Sequence, residues 1–392
     1  MRVLFSPIGT IYDNGSDLFY GSDVYTQMQR YRILGEEMTV LLKHVNTDKP
    51  IGVKRDPLDT TDIVTVKKIN TVKSWLIDRH YNDRVIEEAV KKSDLCICHV
   101  PCSTSYQTIK YAKKYGKPYM TVVVACPWDS LWNYDWRGKL MAPSAFMALR
   151  KAQKNTSHTI YVTKEFLQKR YPSNGVQLGA SDVDMKPVKD SVINHRMQRI
   201  NSIAEGEKSY SITTVAALIP YKGQRYVIRA ISELKKKGFS FVYNVVGLGD
   251  QEKLKELARQ LGVLDQVIFH GKVSHEKVFE ILDSTDIYIQ PSKQEGLPRA
   301  MVEAMGRGCL AMGSNIAGIP ELVPDKFLFP KGNVAAIVSI LEKIDKQSLS
   351  ESAIYSFEKA KEYDSVILQK KYHDFLVDFR SYAESKIENR DC

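Results

Sequence analysis

Short β-branched or apolar runs recur along the chain, separated by segments of helical length. In the first half they are RVLFS (2–6), MTVLL (38–42), DLCICHV (94–100), YMTVVVA (119–125) and HTIYVT (158–163). The rhythm restarts with SITTVAAL (211–218), FVYNVVG (241–247), QVIFHG (266–271), DIYIQPS (286–292) and CLAMGS (309–314), with helical stretches over 222–237, 250–262, 274–284 and 298–307 between them. Continuous apolar runs of this length, alternating with helices, belong to a mostly parallel sheet covered on both faces. The polar segment 184–209 breaks the rhythm and reads as a linker. After Tyr363, Val366, Leu368, Tyr372, Phe375, Leu376 and Phe379 keep an approximate helical period, so the tail is expected to be an amphipathic helix that packs back on the body. The pattern predicts an α/β chain of two doubly wound, Rossmann-like domains facing across a cleft. Residues 1–200, linker included, form the first and 201–365 the second, with 366–392 a closing helix packed toward the N-terminal domain. Ligands of such sheets bind at the carboxyl ends of the strands.

Length agrees with this division, because 392 residues exceed what one growing core accommodates. Charge refines it. The net charge of +10 comes wholly from residues 1–200, with 30 basic against 20 acidic side chains, whereas 201–392 balance at 26 each. Residues 101–200 alone carry 16 basic and 6 acidic. A one-sided basic domain points to a polyanionic partner, an anionic membrane surface among them, or else to a merely solvated face. No stretch approaches the roughly 20 apolar residues of a membrane-spanning helix, and the N-terminus lacks a signal-peptide cleavage site. A cytoplasmic protein is expected, peripheral at the inner membrane face if lipid takes up the basic excess. The six cysteines form no even framework of disulfide spacings. Cys96, Cys98, His99 and Cys102 lack the gap usual between paired zinc ligands and read as strand thiols.

The candidate chemistry lies in SKQEGLPRAMVEAMGRG (292–308), where Glu295 and Glu303 stand eight apart around Gly296 and Pro298. A buried strand precedes them, and a proline starts a helix at no hydrogen-bond cost. The amides of Gly296 to Arg299, at the positive end of that helix, form a cradle for phosphate or sugar oxygens. Carboxylates beside such a cradle repel phosphate and suit hydroxyls instead. Two of them could hold the hydroxyls on either side of a diphosphate.

EGLPRAMVEAMGRGCLAMGSNIAGIPELV resembles the donor-site signature of the retaining glycosyltransferases of family four, which share the GT-B fold and a Glu-x7-Glu motif. VAALIPYKG (215–223), VVGLGD (245–250), FHGKVSHEKV (269–278), DIYIQPS and LFPKGNVAAI (328–337) follow in that family's order. In the first half, the opening strand, glycine loop and helix and the segment IYVTKEFLQKRYPSNGVQLGASDVD look similar more loosely. The resemblance implies sugar transfer from a nucleoside-diphosphate sugar, UDP- or GDP-linked, to an acceptor hydroxyl with retained anomeric configuration. It implies that Glu303 holds the ribose, that Glu295 binds a hydroxyl of the transferred sugar, and that Lys222 neutralises the diphosphate. Glu295 and Lys222 thereby become the candidate catalytic residues. The backbone from Gly296 through Leu297 and Pro298 to Arg299, together with Gly247, is expected beside sugar and diphosphate. The base is expected near Lys272 and Val273, and Gly21 of the first domain over the phosphates. No metal and no cofactor is implied, since Lys222 and the helix end take the place of magnesium. The implied partners are the nucleotide sugar, a saccharide or lipid-linked saccharide acceptor of cell-surface polysaccharide or glycolipid synthesis, and an anionic membrane surface, with no nucleic acid.

Two departures stand out. The family places an arginine five residues before the phosphate lysine, and this chain has Ala217 there; Arg299 is one substitute. The family also ends a central strand of the first domain with a histidine near the reacting sugar. Here TVVVACPWDSLWNYDW offers Cys126, Trp128 and Asp129, with His99 on the neighbouring strand as a stand-in. His99, Trp128 and Asp129 are therefore the acceptor-side candidates. Three of the four tryptophans fall in WDSLWNYDWRGK (128–139), where aromatic rings could stack on sugars, meet a membrane interface or fill a core. This stretch is expected to receive a lipid-diphosphate-linked acceptor. Both departures keep open a nucleotide-sugar-binding protein with little turnover, and a GT-B epimerase remains a further alternative. DVD, Asp182 to Asp184, matches the metal-binding signature of the other large glycosyltransferase fold, but three residues match by chance often, and GLG (247–249) is too short for a dinucleotide fingerprint.

Overall fold

The run Leu95–Val100 is buried at every position, which is why it reads as continuously apolar: it lies inside a sheet with both faces covered. In the computed structural model, residues 1–392 are described except 22, 23, 51, 70, 71, 182–184, 205 and 392, with the backbone alone for 72–76, 390 and 391. The Asp182–Asp184 triplet thus lies outside the described residues. The chain divides into one unit of Met1–Ala180 with Lys370–Cys392 and a second of Ser181–Gln369.

The first unit is built on seven parallel strands in the order Asp62–Val66, Glu37–Asn46, Arg2–Ser6, Leu95–Val100, Tyr119–Val123, His158–Tyr161, Val176–Gly179. The expected strand 38–42 runs on to Asn46. Its added half carries Thr10–Asp13, which leads antiparallel into Leu18–Tyr20 and then Val53–Lys54. These short edge strands escape the sequence pattern because they are two to four residues long and largely half-exposed. The terminal helix Ser365–Asp391 enters this unit from Lys370 onward. Tyr372, Phe375, Leu376 and Phe379 are buried there, whereas Val366 is 64% exposed. Asp378 Oδ2 meets His158 Nε2 at 3.0 Å, and the Tyr372 hydroxyl donates to the Ala180 carbonyl at 3.0 Å.

The second unit holds six parallel strands in the order Val267–Gly271, Ser240–Val246, Ser209–Val215, Ile287–Gln290, Leu310–Ser314, Leu328–Phe329. The boundary drawn at 200 moves back to Ala180, and the supposed linker 184–209 contains the helix Asp190–Asn201. The reason is Arg196, a charged residue 4% exposed. Its guanidinium donates to the carbonyls of Arg307 at 2.9 Å, Thr285 at 2.5 Å and Leu282 at 2.8 Å. A polar sequence thus hides an anchor, a buried guanidinium whose donors are taken up by carbonyls of three separate segments of the second unit. Arg196→Met is expected to destabilise the second unit by about 3 kcal/mol, read as a lower urea midpoint at unchanged slope.

Candidate functional site

The strand order of the second sheet reverses between Ser209–Val215 and Ile287–Gln290. Loops leaving adjacent strands at such a reversal diverge and open a crevice at the carboxyl edge. The loops here are 216–223 and 291–298, and they carry the two residues named as catalytic candidates. Lys222 ends the 3-10 turn Pro220–Lys222. Its ammonium donates to Glu295 Oε1 at 2.7 Å, with the side chains 20% and 8% exposed. Two glycines allow the loops to close up. Gly223, at φ +81°, has a backbone into which a Cβ would fall 2.0 Å from the Pro291 carbonyl oxygen, and Gly247, at φ +149°, stands equally close to the Ala216 oxygen.

Glu295 is held by more than the lysine. Its Oε1 also accepts from Gln290 Nε2 at 2.8 Å and Ser292 Oγ at 2.6 Å, while the Tyr288 hydroxyl donates to Gln290 Oε1 at 2.7 Å. Burial, reinforced by the charge of Glu295, pushes the Tyr288 phenol well above its usual range, so it stays a donor. The carboxylate is fixed in one direction by three donors, and such preorganised polar groups stabilise charge without reorganising.

Pro298 is the cap before the helix Arg299–Gly306, one residue earlier than a first helical position. The Met301 and Val302 amides donate to the Pro298 carbonyl at 3.1 and 3.3 Å, and the amides of Arg299 and Ala300 precede the first of these bonds at the positive end of the helix. Glu303 lies inside this helix and accepts from His275 Nε2 at 3.2 Å. Lys272 and Val273 follow Val267–Gly271 and precede the Ser274 cap of His275–Asp283. His275 therefore ties that loop to Glu303. Gly296 accepts from the Gly318 amide at 2.9 Å, and Arg299 is exposed at the helix start. Ala217 is exposed too, its carbonyl accepting from Gln224 Nε2 at 3.1 Å.

The first unit answers differently. Gly21 sits in the turn between Leu18–Tyr20 and Val24–Tyr31, donating to the Thr10 carbonyl at 3.0 Å. His99 is 2% exposed, its Nε2 2.9 Å from the Tyr31 hydroxyl and its ring 5.0 Å from that of Phe5. An imidazole so enclosed is a core residue, and the acceptor-side role expected for it is withdrawn. Trp128 stacks on Trp132 at 5.2 Å and meets Phe146 edge-on at 5.8 Å. Asp129 faces Arg170 at 3.7 Å. Both are thus engaged with their own unit, part-buried rather than presented to solvent. Cys96 and Cys98 are fully buried, and burial pushes the Cys96 thiol up to about 12.

Several residues of the site were not singled out from sequence. Gln290, Ser292 and Tyr288 lie within the strand block DIYIQPS but carry no charge to mark them. His275 and Lys293 lie in recognised blocks as well. The Lys293 amide donates to the Tyr221 carbonyl at 2.7 Å, and its ammonium lies 5.4 Å from the Tyr226 ring. Burial acts to raise the Tyr226 phenol, yet Lys293 and Arg225 together bring it below its usual value.

Residues 196–361 match the family model described as Glycosyl transferases group 1. The second unit therefore carries a glycosyltransferase domain of that group, within a two-domain α/β fold of the GT-B kind. Over its length the chain is 25% identical to Protein CapJ of Staphylococcus aureus, across 97% of this chain and 96% of that protein. It is 34% identical to the amylovoran biosynthesis glycosyltransferase AmsK of Erwinia amylovora, but only across 34% of this chain and 36% of that one. The solved structure of Anabaena HepE in complex with UDP superposes with a TM-score of 0.65 at 15% identity, across 96% of this chain and all of that one. That likeness concerns the fold alone.

Proposed function

We propose that the protein is a retaining glycosyltransferase that moves a sugar from a nucleoside-diphosphate sugar to a saccharide or lipid-linked saccharide, in the synthesis of a cell-surface polysaccharide or glycolipid. The observation that carries this reading is the Lys222–Glu295 contact at the switch point of the second sheet, beside the N-terminus of Arg299–Gly306. Lys222 and that helix end stabilise the leaving diphosphate, so no metal is needed. Glu295 accepts from a hydroxyl of the transferred sugar, and donor binding exchanges part of its contact with Lys222 for that hydroxyl. Glu303 receives the ribose hydroxyls, with the base over Lys272 and Val273. The bond from the anomeric carbon to the diphosphate oxygen breaks as the acceptor oxygen bonds on the same face. That same-face attack retains the configuration, and the departing phosphate oxygen takes the acceptor's proton.

The UDP held by HepE and the biosynthetic role in the name of AmsK support a UDP-sugar donor and a polysaccharide product. The protein acts in the cytoplasm, at the inner membrane face when the acceptor carries a lipid. Ala217, exposed where the family has its arginine, favours one second reading: donor binding without turnover. Lys293 and Arg225 stand beside the same loops and supply positive charge in compensation. Incubation with a panel of UDP- and GDP-sugars decides between the two. Transfer or slow hydrolysis is expected to release nucleotide from one donor, whereas saturable binding without release across the panel would establish the second reading.

A further inference from the structure

In the helix Trp136–Gln153 of the first unit, Gly138, Ala142, Leu149, Ala152 and Gln153 are buried and define the inward face. Trp136, Leu140, Pro143 and Met147 follow one another at steps of four and three residues, which places them along the opposite face. Trp136 is 67% exposed, Leu140 72% and Met147 62%. At 3.6 residues per turn, Arg137 and Lys151 flank this stripe on one side and Lys139 and Arg150 on the other. The stripe ends at a cavity of ≈ 640 Å³ edged by Met147, Arg150, Lys151, Lys154 and Asn174. No aspartate or glutamate occurs from Trp136 to Lys164. The nearest, Asp135, is occupied as the helix cap, accepting from the Gly138 amide at 2.7 Å.

A row of large apolar side chains held in water marks a surface that meets something else, and the flanking charge selects what. We propose that this helix face docks in the interfacial layer of an anionic membrane. Trp136, Leu140, Pro143 and Met147 sink below the headgroups, and Arg137, Lys139, Arg150, Lys151 and Lys154 meet lipid phosphates. A second copy of the same face would set like charges against one another, and a nucleic acid would leave the apolar stripe in water. No helix among the described residues is long and apolar enough to cross a membrane, so the contact is one of surface attachment. The inference rests on the reading of the acceptor as lipid-linked, and within the stretch 128–139 expected to meet it singles out Trp136 and the helix face that continues from it, since Trp128 packs on Trp132 and Phe146.

The test is flotation of the full chain with vesicles of phosphatidylcholine alone or with one third phosphatidylglycerol. The wild type is expected to bind the anionic vesicles at least about tenfold more tightly at low salt and to lose that preference at high salt. A Trp136→Ser, Leu140→Ser, Met147→Ser triple variant is expected to bind them at least about tenfold more weakly. An Arg150→Ser, Lys151→Ser, Lys154→Ser variant is expected to lose the preference for anionic lipid. These side chains are exposed, and unchanged thermal midpoints check that the variants fold. Equal binding to both vesicles, or a triple variant that binds like the wild type, overturns the proposal. Nucleotide release from the soluble donor is expected to be unchanged in both variants. Vesicle binding without any nucleotide release would sink the transferase reading and leave the membrane face standing.

Discussion

Glu295→Gln is expected to lower the rate of sugar transfer by about 10²- to 10³-fold while leaving far-UV circular dichroism unchanged. The carboxylate accepts from Lys222, Gln290 and Ser292 through one oxygen. Glutamine keeps the shape but replaces a charge by a dipole, and either turns an N–H toward these donors or offers a weaker acceptor. The loss falls on kcat more than on donor KM, because a group poised at the reacting sugar acts mainly in the transition state. Stability falls by about 1 to 2 kcal/mol, since Lys222 is a fifth exposed and can hydrate when its partner is neutral. Steady-state kinetics with the donor found in the panel, beside a thermal melt, check both. Transfer within tenfold of wild type would remove Glu295 from the reaction.

Lys222→Ala is expected to cost a comparable factor, about 10²- to 10³-fold in kcat. It should also weaken the nucleoside diphosphate product by about 10- to 100-fold, the worth of one charge-assisted hydrogen bond. With Ala217 in place of a second cation, Lys222 carries more of the diphosphate charge than it would beside an arginine. Calorimetric titration with UDP and GDP separates the two effects. Product affinity lost at unchanged kcat would make the lysine a binding residue only. Neither quantity changing would place the diphosphate elsewhere, with Lys293 and Arg225 the neighbouring cations.

The donor half was far more legible than the acceptor half, for reasons visible in single elements. The stretch 286–308 announces itself because its parts are consecutive: an apolar strand, a loop with Gly296, and a helix begun at Pro298. Each depends on backbone chemistry within a few residues. His99 shows the opposite. Its position at the end of a strand was readable, but its enclosure by Tyr31, 68 residues away, was not. Arg196 made a polar stretch look like a linker because its acceptors, Leu282, Thr285 and Arg307, lie 86 to 111 residues further on. Tryptophans 128 and 136 look alike as residues, and only the packing of two helices turns one inward and leaves the other in water.

By itself the sequence determined the alternation of strands and helices, the strand, loop and helix that carry Glu295 and Glu303, and the excess of positive charge in residues 101–200. These are properties of chain neighbours, set by side-chain period and by the conformations open to glycine and proline. Tertiary structure decided which charges are paired, as Lys222 is with Glu295 across 73 residues. It also decided which polar side chains are buried, and which apolar face of the helix Trp136–Gln153 stays exposed. Burial and partnership depend on what the fold brings alongside, and no local pattern carries that information.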